Sequence, residues 1–136
     1  MASVQGCRPS SVVCRRPFVV RRRWSVVGHA HLGSSNRLCR QHLLGEHREL
    51  HAIWAIITQG KRGYADHPET RRWRGRLRAL YLRHEALVAE MERRGYRHHT
   101  PLDVALATGA ASQDEFVDPP ERQVLLLRQK GCGCQV

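Results

Sequence analysis

From Ser35 onward the apolar positions of this chain recur at helical spacing, and the stretch before it has no such order. Leu43, Leu50, Ile53, Trp54 and Ile57 fall at i, i+7, i+10, i+11 and i+14, one stripe of an amphipathic helix that Ser35 or Asn36 can cap. Gly60, Gly63 and Pro68 interrupt the pattern and leave Lys61, Arg62 and Tyr64 in an exposed basic loop. Trp73, Leu77, Leu80, Tyr81, His84, Leu87, Val88 and Met91 then predict one long helix from about Thr70 to a stop at Gly95. Thr100-Pro101-Leu102-Asp103 reads as a cap and a first-turn proline opening a short helix that Gly109 ends. Asp118-Pro119-Pro120-Glu121 opens a last helix in the same way, carrying Val124 to Leu127 and stopping at Gly131. No strand alternation or hairpin signal follows residue 35, so the expected fold is all-α, a small single-domain helical bundle over 35–136.

Residues 1–34 offer only short apolar patches, Val12, Val13 and Phe18 to Val20, and no cap followed by a periodic run. They are expected to form a basic, disordered extension. Charge sharpens the division. The first 40 residues hold eight Arg and no Asp or Glu, so they carry +8 of the net +11. A start codon set too far upstream is the preferred origin of this extension, with an organelle leader and a basic DNA-binding arm as the alternatives.

The 23 basic residues are 21 Arg and only two Lys, and the planar guanidinium fork suits phosphate better than the point charge of lysine. Nucleic acid is therefore the leading anionic partner. No apolar run approaches the roughly 20 residues that span a bilayer, so no membrane association is expected, and the expected setting is cytoplasmic and nucleoid-associated. The five Cys are an odd number with no secretory signal before them, which argues against a disulfide framework. Cys132 and Cys134 stand closer than ordinary zinc spacing, and His47 and His51 lack an accompanying HExxH or ExxH pattern, so no metal is expected from either.

The segment Leu38 to Leu50 concentrates the chemistry. His42 and Glu49, seven positions apart, share one helix face, Glu46 lies close to it and Arg48 flanks it. A solvated charged face of Arg40, Glu46, Arg48 and Glu49 is the plain alternative. The pattern L-x-x-Q-H-L-x-x-E-x-R-E-L over Leu38–Leu50, the Gly60-Lys61-Arg62 loop, and a long helix ending in Glu90, Arg94, Gly95 and Tyr96 resemble the pyrimidine-dimer DNA glycosylase/AP lyase family, the phage endonuclease V type.

The resemblance covers Leu38 to about Tyr96 and implies an all-helical repair enzyme that acts on duplex DNA carrying ultraviolet damage or abasic sites, without metal or nucleotide cofactor. It implies a monomer. In such enzymes an N-terminal α-amine attacks C1′, forms an imine with the opened deoxyribose, and cleaves the strand by β-elimination. The essential carboxylate falls on Glu49, the DNA-facing motif residues on Gln41, His42 and Arg48, and the basic loop adds Lys61 and Arg62 as DNA-binding. The amine falls fourteen residues before His42, on Gly28, and only as a processed N-terminus, since 27 residues precede it. An α-amine with a pKa near 8, against about 10.4 for lysine, is an uncharged nucleophile for an appreciable fraction of the time at neutral pH. Arg71, Arg72, Arg74 and Arg78 are further candidates for phosphate contact. Two departures from the pattern are Ala52, where an Arg is usual, and a Gly131-Cys132-Gly133-Cys134 tail in place of an aromatic-rich end. Two other readings stand beside the enzyme: a DNA-binding module of the same fold without the nucleophile, and a His- and Cys-rich metal-binding protein.

Overall fold

The computed structural model describes residues 35–135; the extension, including Gly28, lies outside the described residues. Within them the chain is helical and has no strand, as the hydrophobic pattern predicts. Helix α1 runs Arg40–Gln59, α2 Pro68–Trp73, α3 Leu77–Arg93 and α4 Pro120–Gln129, with short 3-10 turns at Ser35–Arg37 and Val104–Leu106. The pair α1 and α3 makes the core, and α2 packs against both. Leu43, Leu50, Ile53 and Trp54 of α1 meet Leu80, Leu87 and Met91 of α3, with Trp73 of α2 beside them.

Helix α1 begins later than its expected cap. Ser35–Arg37 is a separate 3-10 turn, and Cys39, in extended conformation, takes the N-cap position without a side-chain cap bond. The reason lies on α3. The Arg94 guanidinium donates to the carbonyls of Asn36 and Leu38 at 3.1 and 2.8 Å, holding that stretch as a strap rather than a helical turn. Arg94 is itself held by Glu90, which also takes two bonds from Arg93 at 2.7 and 2.8 Å. Arg93 and Arg94 together hold the Glu90 carboxyl down to about 2.

This pair gives the fold a pH dependence of definite sign. A carboxyl depressed in the folded state stabilises fully above its ordinary value of about 4.3, and that contribution is lost as pH falls towards 2. Glu90→Gln is expected to cost about 1–3 kcal/mol at pH 7, discounted because Arg93 is exposed to solvent. In urea titrations, parent and variant should converge as pH falls from about 5 to 2; a gap independent of pH would show that the Glu90 charge contributes nothing.

The single long helix expected from Thr70 to Gly95 is two helices. Arg74, Gly75 and Arg76 break it, with Gly75 in the left-handed region at φ 73°. The break exists because the segment around Gly109 docks there. The carbonyls of Thr108 and Ala110 accept from the amides of Arg78 and Ala79 at 2.9 and 3.1 Å, and the Ala110 amide donates to Gly75 at 3.0 Å. The first-turn amides of α3, which have no partner within the helix, are thereby satisfied from outside. A Cβ at Gly109, φ 81°, would collide with the Gly75 carbonyl, so only glycine permits this crossing.

The short helix expected between Thr100 and Gly109 is reduced to the 3-10 turn Val104–Leu106. Its cap is Asp103, whose Oδ1 accepts from the Ala105 amide at 3.0 Å. Helix α4 starts where its two prolines predict. The tail beyond it then returns to the start of α1, where the Gln135 amide donates to the Arg37 carbonyl at 2.9 Å.

Candidate nucleic-acid interface

One exposed face near the start of α1 gathers part of the predicted site. Arg40, Gln41, Leu44, Gly45 and Arg48 line an open groove of about 430 Å³. These positions repeat at helical spacing, and Gly45 keeps the middle of the face low because it carries no side chain. Gln41, Arg40 and Arg48 are exposed, so two guanidiniums and a carboxamide are available to an anionic ligand. Glu49 follows Gly45 by one helical turn; it is half-buried, with Oε2 shielded from solvent.

His42 takes a different position. Its ring is buried, and Nδ1 lies 3.0 Å from the Cys39 Sγ and 3.1 Å from the Cys134 Sγ. Burial and the nearby Lys130 charge lower its pKa. His42, which the resemblance makes DNA-facing, is therefore turned inward with Nδ1 against two thiols. Glu46 also departs from a solvated charged face: it is 0 % exposed, and its Oε1 accepts from Arg83 Nε of α3 at 2.7 Å. Burial holds its carboxyl above the usual range in spite of the Arg83 charge.

The basic loop lies at the other end of α1. Gly60 closes the helix in a left-handed conformation, and Lys61 and Arg62 follow it, both exposed. Thirteen residues at 1.5 Å each put Lys61 about 20 Å along the helix axis from Arg48. The two basic features are thus separate contacts rather than one pocket. The loop is anchored by Arg74, which donates to the Ala65 carbonyl at 3.1 Å.

Of the further arginines, Arg71, Arg74 and Arg78 are exposed. Arg72 is not available to phosphate. It is buried, pairs with Glu69 at 2.7 Å, donates to the Glu115 carbonyl at 2.8 Å and lies 4.7 Å over the Trp73 ring. Its apolar surroundings and its carboxylate explain why one arginine of an otherwise exposed series turns inward.

Two ligand-like clusters were missed by sequence spacing. Cys39, His42, Cys132 and Cys134 bring their donor atoms within 4.8 Å of one another, and so do His47, His51, His84 and His98. No second Cys or His pair stands at finger spacing from Cys132 and Cys134; Cys39 and His42 stand 90 or more residues upstream, in C-x-x-H form at the start of α1. His84 occupies a core-stripe position, which concealed it among apolar residues.

Comparison with known proteins places the chain. Residues 22–104, more than half of it, match the family model described as pyrimidine dimer DNA glycosylase. The match spans α1, α2 and α3 and stops before α4 and the cysteine tail. No curated protein and no solved structure matches the chain.

Proposed function

Because this chain belongs to the pyrimidine dimer DNA glycosylase family, we propose that it excises a damaged base from ultraviolet-irradiated duplex DNA and then cuts the strand as an AP lyase. The observation that carries this reading is the exposed α1 groove of Arg40, Gln41 and Arg48, with a partly shielded carboxylate, Glu49, one turn along the same helix.

The chemistry follows from those groups. An uncharged α-amine at Gly28 attacks C1′ of the damaged nucleotide, the glycosidic bond breaks, and the base leaves with a proton. The one remaining amine proton passes to O4′ as the C1′–O4′ bond breaks, and the opened sugar is left as an imine. Glu49 stabilises positive charge on the deoxyribose while the base departs, and then accepts the C2′ proton as the C3′–O bond breaks and phosphate leaves. Arg48 and Gln41 hold the strand beside this centre, and Lys61 and Arg62 grip phosphates further along the duplex. Damaged, poorly stacked DNA bends and releases a base at lower cost, which contributes selectivity.

The test is reductive trapping with borohydride on duplexes carrying a pyrimidine dimer or an abasic site, comparing the full chain with a form beginning at Gly28. A covalent protein–DNA adduct is expected from the form that begins at Gly28, because an imine is reducible. Tight binding with no adduct from either form would exclude the lyase and leave the non-catalytic DNA-binding module.

A further inference from the structure

We propose that the protein carries two separate zinc-class metal sites, one formed by Cys39, His42, Cys132 and Cys134 and the other by His47, His51, His84 and His98. Neither uses the exposed α1 groove, and the proposal stands independently of the glycosylase reading.

Three sulfurs and one imidazole nitrogen make the first set, the donor chemistry of closed tetrahedral zinc. The backbone amide of Cys39 donates to the Cys134 Sγ at 3.1 Å and holds that sulfur at the start of α1. Cys39 also stands at the N-terminus of α1, where the helix dipole favours negative charge. Ligand bonds of about 2.3 Å to sulfur and 2.0 Å to nitrogen separate tetrahedral S and N donors by roughly 3.5 Å. The observed 3.0 and 3.1 Å from His42 Nδ1 to its two thiols need an opening of only about half an ångström to admit the ion. A disulfide between two of the thiols would leave the third and the imidazole without a role. A metal uses all four.

A different geometry carries the second set. The Nε2 atoms of His47 and His51 lie 3.2 Å apart, and those of His51 and His84 3.1 Å apart. Tetrahedral nitrogens at about 2.0–2.1 Å from a shared ion stand roughly 3.3 Å from each other, so this spacing is nearly that of a loaded site. His84 is 0 % exposed, and its other nitrogen, Nδ1, lies 2.9 Å from the Glu85 carboxylate. A carboxylate on the far nitrogen fixes the tautomer and turns the Nε2 lone pair inward, the usual support of a metal-bound histidine. The Thr100 hydroxyl lies 3.3 Å from the Nε2 of both His51 and His98 at the edge of the cluster, and one divalent ion would satisfy all four imidazoles at once.

Each site would join parts of the chain that are distant in sequence. The first fastens the tail to the start of α1, directly beside Gln41. The second joins α1, α3 and the segment that follows α3.

The experiment is elemental analysis of the full chain, purified without chelator, combined with cobalt exchange. Two zinc ions per chain are expected. The paired change Cys132→Ser with Cys134→Ser should leave one, and His51→Ala with His98→Ala, at half-buried positions, should leave the other. Cobalt in the parent and in the histidine variant should give sulfur-to-metal charge-transfer absorption, and in the cysteine variant none. A folded, helical parent that carries no metal and takes up no added zinc overturns both sites. A Cys39–Cys134 disulfide in the unreduced chain overturns the first, and a histidine variant that keeps both ions overturns the second.

Discussion

Glu49→Gln is expected to reduce base excision and strand cleavage by at least about a hundredfold, while duplex affinity stays within a few-fold of the parent. The amide has nearly the shape of the carboxylate, so the groove beside it keeps its form. It cannot accept the C2′ proton, and it offers no negative charge to the sugar as the base departs. Both losses fall on the transition state rather than on the bound complex, so the rate at saturating DNA should fall and binding should not. The comparison to make is single-turnover cleavage against binding isotherms at one fixed salt concentration, because phosphate contacts make affinity steeply salt-dependent. Unchanged cleavage would remove Glu49 from the chemistry and return its carboxylate to a structural role. Affinity and cleavage falling in parallel would instead assign it to holding the DNA-binding face.

The residues that were legible in the sequence are those whose burial follows from their spacing along one helix. Leu43, Leu50, Ile53 and Trp54 announce the buried stripe of α1 by spacing alone, and all four are in the core. Gln41 and Arg48, seven apart, share an exposed face for the same reason. What escaped was set by partners far away along the chain. The break at Gly75 leaves the apolar phase from Trp73 to Leu77 intact, and its cause is a segment more than 30 residues later that caps α3. The delayed start of α1 is imposed by Arg94, and the inward turn of His42 by cysteines at both ends of the described chain. Spacing also reads a charged residue beside other charges as part of a solvated face until a partner is known, and Glu46 shows where that fails, since it is fully buried and finds its partner on α3. His84 fell in the buried stripe as spacing predicts, but spacing could not show the imidazoles and the Glu85 carboxylate that surround it.

Arg83→Ala should lower the unfolding free energy by about 3–5 kcal/mol, the range expected when one member of a buried ion pair is removed. Arg83 is only 11 % exposed at its side chain, and Glu46 is 0 % exposed, so little water is present to take over the lost charge. The Glu46 Oε2 already has no hydrogen-bond partner among the described residues, and truncating Arg83 removes the bond to Oε1 as well. Cavity formation contributes too, because the long arginine side chain is itself largely buried. A double-mutant cycle separates the two causes. In a Glu46→Gln background the charge penalty is absent, so Arg83→Ala should cost substantially less, with a coupling of about 1–3 kcal/mol between the positions. Urea unfolding of the four proteins gives that number directly. A cost below about 1 kcal/mol for Arg83→Ala alone would mean that the pair behaves as an exposed surface bridge, and Glu46 could then not be the buried anchor that fixes α1 against α3.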